Sequence, residues 1–212
     1  MVRYKKVPAS AISEADIPDM KKRFLELQPA TVLNQRSIED GPEVNPERRQ
    51  LVTKHYNRCN RTGFSEAQQA LLKICEEETL KIVKELLPGI VRFKTIESLL
   101  HSRKRSKSRQ KPHRDLRNLD NDAALALIAF EPNTRFIIFR GTHIHDGKIG
   151  IDNVPVIYEL DVGDILVFHP SLIHAGDRYW TSNLRLHYYM ISTEKKYNIN
   201  ETYPAADVAE AQ

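Results

Sequence analysis

Cysteine is nearly absent from these 212 residues: Cys59 and Cys75 are the two. They form neither a disulfide framework nor a metal-ligand spacing, so both read as free thiols of a reducing compartment. No apolar run reaches the ~20 residues that a membrane-spanning helix requires. The opening Met-Val-Arg-Tyr-Lys-Lys has no apolar signal core. The expectation is therefore a chain of the cytoplasm or nucleus with no membrane partner. Charge of one sign is not in great excess either. Lys and Arg number 32 against 28 Asp and Glu, a net charge of +4, too mild by itself to require a polyanionic partner. What is present is an ordinary globular balance, 41% hydrophobic and 28% charged, on a chain long enough for one domain with its own core.

The texture changes once along the chain. Residues 1–88 read as an N-terminal helical region packing on a core. Ser13-Glu-Ala-Asp16 can cap a first helix carrying Met20, Phe24 and Leu25 at helical spacing. Residues 29–50 look like a proline-bearing connection. A long helix is expected from about Ser65 to Leu87, with Ala67, Ala70, Leu71, Ile74, Leu80, Ile82, Val83 and Leu87 as its apolar stripe and Pro88-Gly89 as its stop. Beyond Gly89 the pattern becomes strand-like: Ile90–Ile96, Ala124–Phe130, Arg135–Phe139, Val154–Leu160, Ile165–Phe168, Leu172–His174 and Leu184–Ile191 are short β-rich runs between turns. With the segment carrying His113 they make about eight strands, the rhythm of a jelly roll. The fold class expected is mainly β with N-terminal α: a double-stranded β-helix (jelly roll) core over 89–195 packed against helices, within a single overall domain. The alanine-rich tail 196–212 is expected to be loosely ordered.

Four residues suggest chemistry. His113 and Asp115 are two apart, so a strand would turn both side chains to one face. His174 follows a Pro-Ser bend from which a side chain can point back into a barrel mouth. Two imidazoles and a carboxylate form a three-ligand face that suits Fe(II) and leaves positions open for substrate and oxygen. Arg185, eleven residues after His174 and inside the last strand, needs an anionic partner if buried, and a guanidinium can hold a carboxylate through two parallel hydrogen bonds.

Gly163-Asp-Ile-Leu-Val-Phe-His-Pro-Ser-Leu-Ile-His174-Ala-Gly, followed by Arg185, resembles the distal motif of the Fe(II)/2-oxoglutarate-dependent oxygenases. The His-x-Asp, distal His and later Arg are most similar to the phytanoyl-CoA-hydroxylase-like branch, and Arg140-Gly-Thr-His143 falls where that branch often has a Gly-Ser-His turn. The resemblance covers roughly residues 90–192. It implies that His113, Asp115 and His174 bind Fe(II), that Arg185 pairs with the distal carboxylate of 2-oxoglutarate, and that the reaction yields succinate and CO2 as substrate is oxidised. His187 replaces the small hydroxyl residue that many relatives carry. It shares a strand face with Arg185, where it can add a hydrogen bond to the carboxylate or merely pack. Asp115 stands where halogenating relatives have a small residue, which favours hydroxylation or oxidative demethylation.

Two rivals remain. A cupin-type metal site would use His143, His145 and His174, but it usually wants a glutamate shortly after His-x-His, and it gives Arg185 no role. A non-catalytic jelly roll could instead hold nucleic acid through the run Arg103, Lys104, Arg105, Lys107, Arg109 and Lys111, six basic residues with no acid among them. In the oxygenase reading the same run is a substrate loop for a small-molecule or polyanionic substrate, or a nuclear-localisation segment. A solvated loop is the ordinary alternative. No aromatic residue interleaves the run. Tyr179 and Trp180 are candidates for the pocket wall or for core.

Overall fold

A computed structural model describes residues 2–6, 16–26, 32–33, 48–55, 58–59, 61, 63–102, 109–116, 122–144, 148–150, 153–194, 203–204 and 206–207. The elements run β1 (Val2–Lys6), α1 (Asp16–Glu26), β2 (Val32–Leu33), β3 (Arg48–His55), β4 (Arg58–Cys59), α2 (Glu66–Leu86), β5 (Phe93–Ser102), β6 (His113–Arg114), β7 (Ala123–Ala129) and β8 (Thr134–Phe139). A 3-10 turn (Thr142–Ile144) leads on to β9 (Lys148–Ile149), β10 (Pro155–Leu160), β11 (Asp164–Phe168), β12 (His174–Gly176), β13 (Asn183–Ser192), β14 (Tyr203–Pro204) and β15 (Ala206–Asp207).

The large sheet has the order β1-β11-β7-β13-β5-β3-β2, with β4 on β3, and the smaller one β10-β8-β12-β6-β14. This is the expected jelly-roll core. Apolar side chains from both sheets fill the space between them: Ile96, Leu125, Leu127, Phe136, Ile138, Leu160, Phe168, Tyr189 and Ile191. The opposite face of the large sheet, through Leu99, Ala126, Ile128, Val167, Leu186, Tyr188 and Met190, packs against α1 and α2. Strand alternation makes this division. Along β13, Leu186, Tyr188 and Met190 face the helices, while Arg185, His187, Tyr189 and Ile191 take the other side.

α2 starts as the sequence predicts. Ser65 accepts a hydrogen bond from the Gln68 amide, and the Gln68 side chain returns one to the Ser65 backbone, a complete capping box. Its buried stripe is rotated from the expected one. Gln68, Leu71, Leu72, Cys75, Thr79, Ile82, Val83 and Leu86 lie inward, whereas Ile74 is exposed. In α1, Met20 and Phe24 are buried, but Leu25 is exposed.

The N-terminal region is not purely helical. β1 pairs with β11, and β3 with β5, so residues 1–88 extend the large sheet as well as covering it. Their pattern hides this, because Val2–Lys6 and Arg48–His55 are rich in basic residues and edge pairing does not require an apolar run. β5 also runs six residues further than expected, through Glu97, Ser98, His101 and Ser102. Polar residues there are sheltered by long-range partners rather than by solvent: Arg61 for Glu97 and Arg185 for Ser102. In the tail, β14 pairs with β6 and β15 with β9, an order the composition does not suggest. Ser13, Arg103, Lys104, Arg105, Lys107 and His145 lie outside the described residues. Among the described residues, no helix is long and apolar enough to cross a membrane.

Candidate functional site

The smaller sheet brings the two histidines together. β12 lies between β8 and β6, and its register sets His174 directly opposite His113. The rings stand 4.6 Å apart by centroid. Asp115 follows at the bend after β6, and its Oδ1 lies 3.5 Å from His113 Nε2 and 3.7 Å from His174 Nε2. One ligand atom from each of the three residues falls within 4.8 Å of the others. All three residues are buried.

The tautomers are set by neighbours. His113 Nδ1 lies 2.8 Å from the Lys111 carbonyl, and His174 Nδ1 2.9 Å from the Leu172 carbonyl. A carbonyl only accepts, so each Nδ1 donates, and each Nε2 lone pair is aimed toward Asp115. Tyr189 donates its hydroxyl proton to Asp115 Oδ2 at 3.0 Å, leaving Oδ1 for the histidine side. Burial and the adjacent carboxylate push the Tyr189 phenol well above its ordinary range, so it keeps that proton. The Gln110 side chain spans the rim: Oε1 accepts from the Gly176 amide at 3.1 Å, and Nε2 lies 3.2 Å from His113 Nε2. Phe136 stacks on His174 at 5.2 Å, and Phe168 meets it edge-on at 5.1 Å.

Arg185 is 1% exposed. One terminal nitrogen donates to Ser102 Oγ at 3.1 Å, and its carbon lies 5.7 Å from the Tyr179 ring. Its Nε has no hydrogen-bond partner, and no carboxylate pairs with it among the described residues. A buried guanidinium without a counter-ion is expensive, so a carboxylate-bearing ligand fits here. His187, two residues on, is also buried, with an unpartnered Nε2. Burial first, then the charges of Arg185, His174 and His113, holds its imidazole well below the ordinary 6.5. It is therefore neutral at physiological pH.

The donor set fits a divalent first-row ion: two imidazoles locked by carbonyls and one carboxylate locked by a phenol. Of the cupin-type set, His145 lies outside the described residues. His143 lies against His169 at 5.2 Å between ring centroids, and His169 Nδ1 accepts from the Ser171 amide. His101 packs on Phe24, outside the site. Of the basic run, the described end sits beside the site, with Arg109 Nε 2.8 Å from Asp177 Oδ1. Tyr189 and Gln110 are the site residues that sequence reasoning misses. Tyr189 was within reach, because it continues the alternation Arg185, His187, Tyr189 on β13.

No protein-family model matches the chain, and no curated protein matches its sequence. Solved structures do match its fold. AviO1 from Streptomyces viridochromogenes superposes with a TM-score of 0.66 at 12% identity, over 92% of this chain and 91% of that one. The epimerase SnoN from nogalamycin biosynthesis, in complex with Fe3+, alpha-ketoglutarate and nogalamycin RO, gives 0.63 at 15% identity over 93% and 82%. A Pseudomonas putida prolyl-4-hydroxylase gives 0.58 at 14% over 90% and 91%. At these identities the likeness establishes a shared fold.

Proposed function

We propose that the protein is a non-haem Fe(II), 2-oxoglutarate-dependent dioxygenase that hydroxylates or oxidatively demethylates an organic substrate. The observation that carries this is the convergence of the His113, Asp115 and His174 donors, with Arg185, buried and without a carboxylate partner among the described residues, on the strand face that carries Tyr189, the hydrogen-bond donor to Asp115. Fold neighbours whose names include iron, alpha-ketoglutarate or hydroxylation support it. The finer kinship with the phytanoyl-CoA-hydroxylase-like branch rests on the order His-x-Asp, His, Arg and on the Arg140-Gly-Thr-His143 turn.

When bound, Fe(II) and 2-oxoglutarate would supply an oxidant from dioxygen, with succinate and CO2 as co-products. The chain's part is to hold and exclude. His113 and His174 offer Nε2, and Asp115 offers Oδ1. Tyr189 and the two backbone carbonyls keep those atoms aimed inward. Arg185 receives the distal carboxylate of the cosubstrate, with His187 as a neutral donor on the same strand face. Phe136, Phe168 and Tyr179 close the surroundings to water, which strengthens the Arg185–carboxylate pair.

An anaerobic titration of metal-free protein with Fe(II), then 2-oxoglutarate, tests the reading. A saturable visible charge-transfer band is expected. His174→Ala should abolish it, and Asp115→Ala should abolish turnover. Arg185→Ala should weaken 2-oxoglutarate binding by about 1.5–3 kcal/mol, the range for a lost charge-assisted hydrogen bond. Absence of the band in a folded protein that binds Fe(II) would sink the proposal.

A further inference from the structure

Gln110 is pinned just beyond the pairing of β6 with β12. Its backbone amide donates to the Gly176 carbonyl at 2.9 Å, and the Gly176 amide donates back to the Gln110 side-chain oxygen at 3.1 Å. The side chain stands in for a main-chain carbonyl and carries the contact between the two strands a step further. Beside it, Arg109 Nε holds Asp177 Oδ1 at 2.8 Å. A backbone N–H only donates, so the atom facing Gly176 is Oε1, and the NH2 group of the same amide is turned away from it. That group meets His113 Nε2 at 3.2 Å.

This ring nitrogen is an acceptor. His113 Nδ1 gives its proton to the Lys111 carbonyl at 2.8 Å, which leaves Nε2 with its lone pair. A metal needs the same lone pair, because neutral imidazole coordinates through it. One lone pair cannot serve both. The neighbours explain why a donor sits here. Asp115 Oδ1 lies 3.5 Å from His113 Nε2 and 3.7 Å from His174 Nε2. Acceptor atoms thus crowd a buried space, and they repel one another unless a donor or a cation stands among them. Gln110, half-buried at the rim, brings the donor.

We infer that Gln110 is a displaceable cap on His113: its amide takes the lone pair that a metal must take, and so lowers the affinity of the site for metal while holding the ring ready for it. The inference rests on the metal reading of His113, Asp115 and His174. The imidazole is oriented from both sides, by Lys111 at Nδ1 and by Gln110 at Nε2, so the ring keeps its place when the metal arrives and the amide gives way. Gln110 is a positioning residue, and the sign of its effect separates it from a brace. Removing a group that braces a ligand weakens metal binding. Removing a cap that acts only before the metal binds strengthens it.

The test compares the whole protein with Gln110→Met, an unbranched substitute that lacks both amide groups, and with Gln110→Glu, which keeps an oxygen for Gly176 but, once ionised, has no N–H for His113. Fe(II) affinity is read by competition against a chromophoric chelator, and the release rate by a chelator chase. Gln110→Met is expected to bind Fe(II) about 2–10-fold more tightly, the worth of one neutral hydrogen bond, with release unchanged. Gln110→Glu should bind more tightly still, since it adds a carboxylate to the rim. A second readout needs no variant to fold well. In spectra of the parent with isotope-labelled glutamine side chains, the Gln110 NH2 signal, identified by its loss in either variant, should move when Zn(II) saturates the site, a diamagnetic ion that the same donor types hold. Equal or weaker Fe(II) binding by folded Gln110→Met, faster release from it, or an NH2 signal that Zn(II) leaves in place would each overturn the inference. A charge-transfer band with 2-oxoglutarate in the parent would then still stand for the oxygenase. A parent protein that binds neither ion would overturn both.

Discussion

The carboxylate of Asp115 has two oxygens with different duties, and Tyr189 decides which is which. Oδ2 accepts a hydrogen bond from the Tyr189 hydroxyl at 3.0 Å, so Oδ1 is the oxygen left to the histidines. Removing the hydroxyl frees the carboxylate to rotate without disturbing the packed ring. Tyr189→Phe is therefore expected to keep the fold and to raise the Fe(II) dissociation constant about 10–100-fold, the usual penalty for losing a group that orients a ligand. Competition titration against a chromophoric chelator measures it. Unchanged affinity would mean that the backbone alone holds Asp115. Among single residues, those carrying a motif are the legible ones. His113, Asp115, His174 and Arg185 stand out by type and spacing. Tyr189 does not, since a tyrosine on a β-strand is ordinary, and only its partner gives it a role. Asp177 shares that difficulty, because its partner Arg109 lies 68 positions away.

At the scale of elements, legibility follows local pattern. β7, β8, β10, β11 and β13 are apolar runs bounded by turns, and the sequence places them within a residue or two. Gly163 at a φ of 86° marks the turn into β11, a left-handed position that glycine adopts without strain. β1, β3 and the second half of β5 are hidden because their residues are charged or polar and pairing with a distant strand fixes them. β14 is hidden most completely, since two residues carry no pattern. Its placement has a consequence. β6 has only two residues, and β14 covers its outer edge, pairing Tyr203 with Arg114 and Pro204 with His113. A chain ending at Asn200 loses that neighbour while keeping both sheets' interiors. The expected outcome is a nearly unchanged melting temperature, faster amide exchange at Arg114, and Fe(II) binding weakened by roughly tenfold as His113 loses one of its supports. Exchange mass spectrometry and the chelator titration read the two effects. If neither changes, β14 does not brace the ligand strand.

Across the whole molecule, the large sheet separates chemistry from scaffolding. Its inner face carries Arg185, His187 and Tyr189, and its outer face rests on α2. The outer layer contains a polar knot of its own. Glu97 on β5 is fully buried, with Arg61 donating from both Nε, at 2.9 Å, and a terminal nitrogen. Arg61 also reaches Glu76 on α2 at 3.3 Å. The Tyr188 hydroxyl lies 2.8 Å from both Glu97 and the Leu72 carbonyl. Burial and then the Glu97 charge hold the Tyr188 phenol well above its ordinary range, and they raise the buried Cys75 thiol likewise. Both groups therefore stay protonated at physiological pH. This knot ties the helix layer to the sheet, yet charges buried in this way are only as good as their pairing. Arg61→Ala removes both hydrogen bonds that Arg61 gives the buried Glu97 carboxylate and should lower stability by about 3–5 kcal/mol. At about 2–4 °C per kcal/mol for a chain of this size, the melting temperature should fall by roughly 6–20 °C. Replacing both partners with apolar residues, Arg61→Met with Glu97→Leu, should recover most of the loss, because the fully buried carboxylate and its guanidinium are then both gone. Fe(II) affinity, measured well below the transition, should be the same in all three proteins, since the pair faces the helices and the ligands face the other sheet. A single variant that melts like the parent would mean the pair contributes nothing. One that weakens Fe(II) binding while still folded would mean the two faces of the large sheet are coupled through β13.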